Sequence, residues 1–255
     1  MKTSLRLEIL PQPDNVTCGP TCLHAVYKFY GKDSELDEVI AEVPSWEGGG
    51  TIAVLLGNHA LKEGFTAKIY TYNLHVFDPS WFPSKKSHVV SRLQAQALHK
   101  KVPKLAWATK AYIKFLKSGG EVGFQDLNGS LIRRYLKRGV PILTGLSATY
   151  LYRCARETEE CDPDDVRGEP AGHFVVLCGY DKSTKTVLIA DPFLPNPVST
   201  TQYYRVNIDR LICAILLGIV TYDANLLVIE PKIQLINISG KKTSLRKKYQ
   251  SVKKP

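Results

Sequence analysis

The chain has 255 residues, of which 44% are hydrophobic and 23% are charged, and its formal net charge is +10. This size and apolar content fit one large domain, or one domain with an insertion. The N-terminus lacks the continuous apolar stretch of a signal peptide, and the longest apolar run, residues 211–220, is too short to span a membrane. We therefore expect a cytoplasmic protein.

The positive charge is concentrated at the C-terminus and does not by itself indicate a nucleic-acid-binding protein. After Gly240 the chain has no acidic residue, and without this segment the net charge falls to +3. A block of like charges is typical of a solvated tail. Its seven bases are Lys241, Lys242, Arg246, Lys247, Lys248, Lys253 and Lys254. We predict a flexible basic tail over residues 240–255 that makes only weak contacts with nucleic acid.

The segment Gln12 to Tyr30 predicts a helix that begins at Cys18. The unpaired N–H groups and the dipole at a helix N-terminus favour the thiolate, which is the nucleophilic form of cysteine. Gln12, six residues upstream, has an amide that can donate to a developing oxyanion. The alternative interpretation is a buried structural cysteine, since free cysteines are among the most buried residues.

Residues 35–145 are predicted to be mostly helical. Thr51 is the expected cap of the second helix in this region. The expected helices cover 35–43, 52–63, two segments between 87 and 116 that Pro103 separates, and 127–137; the expected strands cover 67–72 and 140–145.

A glycine-rich loop that contains Trp46 and Gly49 follows the cysteine helix closely in the chain. We expect it to line a substrate cleft, together with Gly19 and Gly172, which adjoin the reactive residues. The alternative interpretation of this loop is a simple linker.

His173 and Asp191 occur on two neighbouring predicted strands. The run 173–180 is apolar, residues 181–183 indicate a turn, and 186–190 reads as the returning strand. Antiparallel pairing brings the start of one strand and the end of the other to the same edge of the sheet. There a carboxylate can orient the imidazole ring that moves protons for the thiol. Taken singly, His173 fits a packed histidine and Asp191 a strand-ending turn.

Neither metal nor cofactor is expected. The six cysteines are predicted to be reduced, because the chain lacks an export signal. Cys22 follows Cys18 on the same helical face and should pack inward near it; a redox pair of the two is a further alternative. Cys154 and Cys161 lack the additional ligands that a zinc site requires.

The acidic segment 157–165 lies shortly before His173. It is predicted either to steer basic peptides or amines toward the cleft or to be an ordinary solvated loop.

The motifs together resemble the papain-like cysteine peptidases of the C39 type, the bacteriocin-processing peptidases. The matching pieces are Gln12, Cys18-Gly19-Pro20, Tyr30-Gly31, Gly172-His173-Phe174-Val175-Val176, Gly179-Tyr180-Asp181 and Asp191-Pro192. By this resemblance, Cys18 is the nucleophile, His173 the base and acid, Asp191 the orienting group and Gln12 the oxyanion donor.

The expected fold is α+β, with a helical lobe that carries the cysteine packed on an antiparallel sheet lobe. It forms one domain over residues 1–239, with a helical insertion at 74–126. The expected activity is cleavage of a peptide or amide bond through an acyl-enzyme, and the resemblance implies small residues before the cleaved bond. Two alternatives stay open, an acyltransferase or peptide ligase with the same acyl-enzyme and a non-catalytic peptide-binding module.

Overall fold

The computed structural model describes residues 2–47, 49–82 and 85–232. These residues form one sheet and eight α-helices, together with two short 3₁₀ helices at Pro79–Trp81 and Gly218–Thr221. The strands are β1 (Lys2–Ser4), β2 (Phe65–Thr71), β3 (Glu121–Gly123), β4 (Ile142–Ser147), β5 (Gly172–Asp181), β6 (Thr186–Ala190), β7 (Tyr203–Asn207) and β8 (Asn225–Pro231). The helices are α1 (Cys18–Phe29), α2 (Leu36–Glu42), α3 (Ala53–Lys62), α4 (Lys86–His99), α5 (Pro103–Lys117), α6 (Gly129–Lys137), α7 (Ala148–Tyr152) and α8 (Ile208–Leu217).

The strands follow the order β3-β2-β8-β4-β5-β6-β7, and β1 pairs with the end of β5. Only the β2–β3 pair is parallel among the described strands. Strand β8, near the C-terminal end of the described chain, therefore lies between β2 and β4. Helices and strands alternate along the chain more than the sequence predicted, yet the α+β class is confirmed.

The sheet is covered on both faces, and strand β5 shows why its sequence is almost continuously apolar. Successive side chains of a strand point to opposite faces. Phe174, Val176 and Cys178 join the core formed with α1 to α5. Val175 and Leu177 join the second core, which contains residues of α6 and α8. Burial on both faces requires apolar residues at consecutive positions and fixes β5 at the centre of the fold.

The predicted helices and strands match the observed ones to within a few residues at each end. Pro103 lies at the first position of α5. An N–H at this position has no acceptor within the helix, so the lack of one in proline costs no hydrogen bond. The predicted cap at Thr51 is wrong. Ile52 occupies the cap position of α3, and the Thr51 hydroxyl donates instead to the carbonyl of Pro44, 3.0 Å away.

The domain boundaries stay predictions. Helices α4 and α5 lie within the segment 74–126 that was predicted as an insertion, and both contribute residues to the first core. The predicted tail over 240–255 lies outside the described residues. In the described part of the chain, no helix is both long and apolar enough to cross a membrane.

Candidate active site

Cys18 is the first residue of α1, and its side chain is buried, with a 9% exposed fraction. The first turn contains no acidic residue, and no side chain caps it. Pro20 has no N–H, and the N–H of Thr21 already donates to the Thr17 carbonyl at 3.0 Å. The N–H groups of Cys18 and Gly19 are therefore the donors of this turn that lack a helical acceptor.

The start of α1 is packed tightly against strand β5. The Cys22 thiol is fully buried and donates to the carbonyl of Phe174 at 3.3 Å. A Cβ atom on Gly19 would lie 3.3 Å from the Phe174 ring and 2.6 Å from Cγ2 of Thr51. Gly19 thus permits a close approach that holds Cys18 beside the strand on which His173 lies. Cys22 packs inward near Cys18, in agreement with the sequence prediction.

His173 is the second residue of β5 and lies between Asp191 and Cys18. Its Nε2 atom is 2.8 Å from Oδ1 of Asp191, and Cys18 is close enough to contribute to the raised pKa of the ring. The bond through Nε2 leaves Nδ1 as the ring nitrogen available to the sulfur. The structure therefore brings together the three residues for which the sequence predicted a shared site.

Asp191 is fully buried, and each of its oxygens accepts two hydrogen bonds. Oδ1 accepts from His173 and from the Phe193 N–H at 2.9 Å, whereas Oδ2 accepts from the hydroxyls of Tyr152 at 2.8 Å and Tyr204 at 2.5 Å. A carboxylate bonded in this way cannot rotate away from the imidazole. The sequence analysis missed both tyrosines, because neither has a local motif that points to Asp191.

The electrostatics of the site favour a charged His173–Asp191 pair. Burial alone would lower the pKa of His173, but the Asp191 charge and hydrogen bond, with a further contribution from Cys18, raise it to about 10. Burial would raise the pKa of Asp191, yet His173 and the Tyr204 hydroxyl hold it below its usual value. Burial and the neighbouring carboxylate raise the pKa values of Tyr152 and Tyr204, so both remain hydrogen-bond donors.

Two aromatic rings lie close to the imidazole of His173. The ring of Tyr152 lies 6.0 Å from that of His173, and the Phe193 ring lies 6.2 Å from it in an edge-to-face arrangement. Apolar rings exclude water and strengthen the charge interaction between His173 and Asp191.

Gln12 lies next to the Asp191 segment, as its backbone N–H donates to the Pro192 carbonyl at 2.9 Å. Its Nε2 donates to the carbonyl of Asp14 at 2.7 Å, which occupies one of the two amide hydrogens. The buried Oε1 atom has no hydrogen-bond partner in the described part of the chain. Its assignment as oxyanion donor stays a prediction.

The glycine-rich loop approaches the site only in part. A Cβ atom on Gly49, which has φ +86°, would lie 2.8 Å from Cγ1 of Val16, two residues before Cys18. The ring of Trp46 instead packs on Trp107 of α5, with ring centres 5.2 Å apart. A substrate contact by either residue stays a prediction, as it does for Gly19 and the exposed Gly172.

All six cysteines are free thiols. Among the described residues, one group has the proximity that a metal would require: Glu42, His59 and Glu63. Protein partners occupy these ligand atoms, however. The Tyr27 hydroxyl bonds to Nδ1 of His59 at 2.8 Å, and Glu42 bonds to both Nε2 of His59 and Lys62. This cluster is a hydrogen-bond network that connects Tyr27 of the first core to the exposed Glu42.

The helix that begins at Cys18 packs on the strand that carries His173, and the family to which the chain belongs identifies this arrangement as the papain-like class of cysteine peptidases. The sequence model of the Peptidase_C39 like family matches residues 4–210, and the chain belongs to this family. The resemblance inferred from the motifs is thereby confirmed. Among proteins of curated function, no sequence matches this chain.

The solved structures that match this chain have low sequence identity and TM-scores below 0.5. A double glycine motif protease from an AMS/PCAT transporter, solved with its leader peptide, is 15% identical, with a TM-score of 0.42 over 90% of this chain and 95% of that one. The peptidase domain of Streptococcus ComA is 15% identical, with a TM-score of 0.42 over 89% and 100%. Xylellain, a cysteine protease from Xylella fastidiosa, is 15% identical, with a TM-score of 0.39 over 91% and 86%.

Proposed function

We propose that the protein is a cysteine peptidase or amidase in which Cys18, His173 and Asp191 form the catalytic triad. The observation that carries the proposal is the position of His173, which bonds to Asp191 at 2.8 Å through Nε2 and lies close enough to Cys18 for that residue to raise its pKa. Family membership supports the same chemistry. Nucleophile, proton shuttle and orienting group are the parts that covalent acyl transfer requires.

In the acylation half, the Cys18 thiolate, whose proton His173 holds, attacks the carbonyl carbon; a C–S bond forms and the C=O π electrons become the oxyanion. The resulting oxyanion accepts hydrogen bonds from the Cys18 N–H and from the Gln12 amide. His173 then passes its proton to the leaving nitrogen, the C–N bond breaks, and the amine departs. Since the pKa of His173 is raised to about 10, the ring holds that proton at neutral pH.

In the deacylation half, water resolves the thioester. Once His173 has given up its proton, Nδ1 can accept one from the attacking water. The C–S bond then breaks and the carboxylic acid leaves, while His173 and Cys18 return to their starting state. Asp191 keeps the ring in place through both halves, because its four hydrogen bonds fix the carboxylate.

We propose a peptide as the substrate, with small residues before the cleaved bond. The start of α1 supports this choice, because Gly19 and the tight contact to Thr51 and Phe174 leave the nucleophile in a crowded environment. A peptide whose residues next to the scissile bond are small can reach Cys18 with less displacement of these groups.

The proposal is tested by the pH dependence of iodoacetamide labelling, resolved by peptide mass spectrometry. The exposed Cys161 and Cys213 serve as internal references. Cys18 is expected to react faster than both below pH 8 despite its burial, and His173→Ala should remove this advantage. Labelling of Cys18 no faster than that of a buried thiol such as Cys178 would contradict the proposal and favour a binding module.

Turnover provides the second test. Cys18→Ala should abolish hydrolysis of a peptide library, and Gln12→Ala should lower kcat by about 100- to 1000-fold, the usual effect of one lost oxyanion donor. Gln94→Ala, at an exposed position on α4, is the matched control and should retain the wild-type rate. A Gln12→Ala enzyme with wild-type kcat would remove Gln12 from the proposed mechanism.

A further inference from the structure

Asp223, between the second 3₁₀ helix and β8, is a buried carboxylate that the proposed triad does not use. Its exposed fraction is 6%. The Thr221 hydroxyl donates to Oδ2 at 2.7 Å, but Oδ1 is buried and has no hydrogen-bond partner among the described residues. Buried polar atoms are nearly always hydrogen-bonded. Oδ1 is therefore an acceptor that the described residues leave available to a further donor.

Two glycines on neighbouring strands leave room for this carboxylate. A Cβ atom on Gly145 of β4 would lie 2.7 Å from Oδ1 of Asp223, and one on Gly172 of β5 would lie 2.6 Å from Oδ2. Any larger residue at either position would displace the acid. Gly172 is exposed and directly precedes His173, so Oδ2 of the carboxylate lies against the residue next to the histidine of the proposed triad, whereas Oδ1 lies against the buried Gly145.

The backbone around Asp223 is also held in an unusual conformation. Tyr222 has φ 71° and Ala224 has φ 48°, which places both neighbours of the acid in the left-handed region. Residues other than glycine seldom adopt this conformation, and it persists only where the surrounding structure determines it. Such positions cluster at functional sites. The chain thus holds Asp223 between two strained residues.

The charged groups around Asp223 come from two elements. Lys104 of α5 and His173 of β5 both act on its charge, and the Tyr112 hydroxyl of α5 senses the same carboxylate. Burial nevertheless raises the pKa of Asp223 to about 7. The Lys104 ammonium lies 5.0 Å from the centre of the Tyr222 ring. His173 is therefore close enough to act on the charge of Asp223, and among the described residues no base forms an ion pair with this carboxylate.

We propose that Asp223 forms a subsite of the cleft that binds a cationic group of the substrate, an ammonium or a guanidinium, beside His173. The proposal rests on the proposed peptidase function and specifies its substrate class. A lysine or arginine side chain carries several N–H donors and a full positive charge. It would supply the missing donor to Oδ1 and neutralise the buried carboxylate.

The test compares peptides that carry lysine or its uncharged analogue norleucine at each of four positions around the cleaved bond. At pH 8.5, kcat/KM should favour lysine at one position by roughly ten- to a hundredfold, the usual effect of a hydrogen bond to a charged group. Asp223→Asn should reduce this ratio to about one. The exposed Asp209→Asn is the matched control and should keep the wild-type ratio.

A second variant covers the case in which Asp223→Asn does not fold. Lys104→Met removes the neighbouring cation that competes for Asp223 and should raise the lysine-to-norleucine ratio. A wild-type enzyme that cleaves peptides without preferring lysine at any position would overturn the subsite and leave the peptidase function intact. In that case an ordered water or a proton satisfies Oδ1.

A binding measurement tests the subsite independently of the proposed peptidase activity. In the Cys18→Ala protein, a lysine peptide should bind at least tenfold more tightly than its norleucine analogue, and the additional change Asp223→Asn should abolish the difference. This result supports the subsite even if the wild-type protein hydrolyses no peptide, an outcome that would contradict the peptidase proposal alone. Equal affinities for both peptides would overturn the subsite.

Discussion

The geometry of the site depends on the side chain of Asp191. It lies in a fully buried position, it accepts four hydrogen bonds, and it bonds directly to Nε2 of His173. A buried charge that is bonded at every lone pair is stable, whereas removal of one partner leaves the others unsatisfied. Substitutions at Asp191 and at its tyrosine donors should therefore have distinct and measurable effects.

Asp191→Asn should lower the pKa of His173, because the neutral amide no longer stabilises the imidazolium against burial. The measurement is an NMR titration of the His173 ring in both proteins. The wild-type pKa is raised above that of an unfolded histidine, so the stability it provides is fully present below pH 6.5 and is lost as pH rises through about 10. The stability difference between the two proteins should shrink over this interval. A constant difference would show that the pair is not charged.

Tyr204→Phe should destabilise the fold by about 1.5–3 kcal/mol, because Oδ2 of Asp191 loses a hydrogen bond from a buried hydroxyl. Urea denaturation measures the effect. Tyr150→Phe is the matched control: its side chain is 42% exposed, and its loss of a hydroxyl should change stability by less than about 0.5 kcal/mol. Equal effects at the two positions would mean that the Tyr204 bond contributes nothing specific.

At the scale of elements, the start of α1 depends on how closely the helix approaches its neighbours. A Cβ atom on Gly19 would lie 2.6 Å from Cγ2 of Thr51, a distance that real Cβ atoms do not adopt. Either the Thr51 side chain or the start of α1 must then shift, and a shift of the helix would move Cys18. The shortest of these distances is to one methyl group, which makes its contribution testable by a pair of substitutions.

Gly19→Ala should cost about 1–3 kcal/mol of stability through overpacking and should slow Cys18 labelling. Thr51→Ser removes the methyl group but retains the hydroxyl that bonds to Pro44. The double variant Gly19→Ala/Thr51→Ser should therefore recover most of both losses. Thermal denaturation and the iodoacetamide rate are the two readouts. Additive effects of the single substitutions would show that the contact does not position α1.

Local patterns predicted the elements that carry Cys18, His173 and Asp191. An apolar run with a turn after it defines β5 and β6, and the predicted limits of β6, residues 186–190, match the structure. Antiparallel pairing is a short-range consequence of that turn, so the meeting of His173 with Asp191 could be predicted as well. The papain-like arrangement came from the resemblance and is confirmed by the family match.

Long-range contacts could not be predicted in this way. Tyr152 and Tyr204 meet Asp191 only because α7 and β7 are folded onto the same edge of the sheet. Asp223 reaches its position because β8 inserts between β2 and β4, far from both in sequence. Thr51 was predicted to cap α3 from its position in the sequence. In the structure its hydroxyl donates instead to the carbonyl of Pro44, which lies seven residues earlier in the chain.

At the scale of the whole molecule, charge is segregated along the chain. Residues 79–120, which include α4 and α5, contain nine lysines and arginines and no acid, whereas residues 157–165 contain six acids and no base. The acidic segment belongs to the connection from α7 to β5 and ends shortly before Gly172. An acidic surface beside a cleft raises the local concentration of cationic ligands. This distribution agrees with a substrate that carries positive charge near His173.

The steering prediction requires acids that do not stabilise their own loop. Asp164 is unsuitable, since Oδ1 accepts from the Val166 and Arg167 N–H groups and Oδ2 bonds to the Arg167 guanidinium. These bonds also hold the pKa of Asp164 below its usual value. Its replacement would alter the loop as well as the charge. The side chains of Glu159, Asp162 and Asp165 are exposed, and none of the described hydrogen bonds involves their carboxylates, so their replacement changes the charge of the loop and not its internal bonds.

The triple change Glu159→Gln, Asp162→Asn and Asp165→Asn should raise KM for lysine peptides a few-fold while kcat stays constant, because it weakens attraction without touching the triad. The effect should fade between about 0.05 and 0.5 M salt, as the screening length falls below the distance over which the loop acts. The matched control neutralises Asp37, Glu38 and Asp126, which are exposed on other elements. If both triple variants change KM equally, net charge rather than the acidic loop directs the substrate, and Asp223 alone accounts for any preference for lysine.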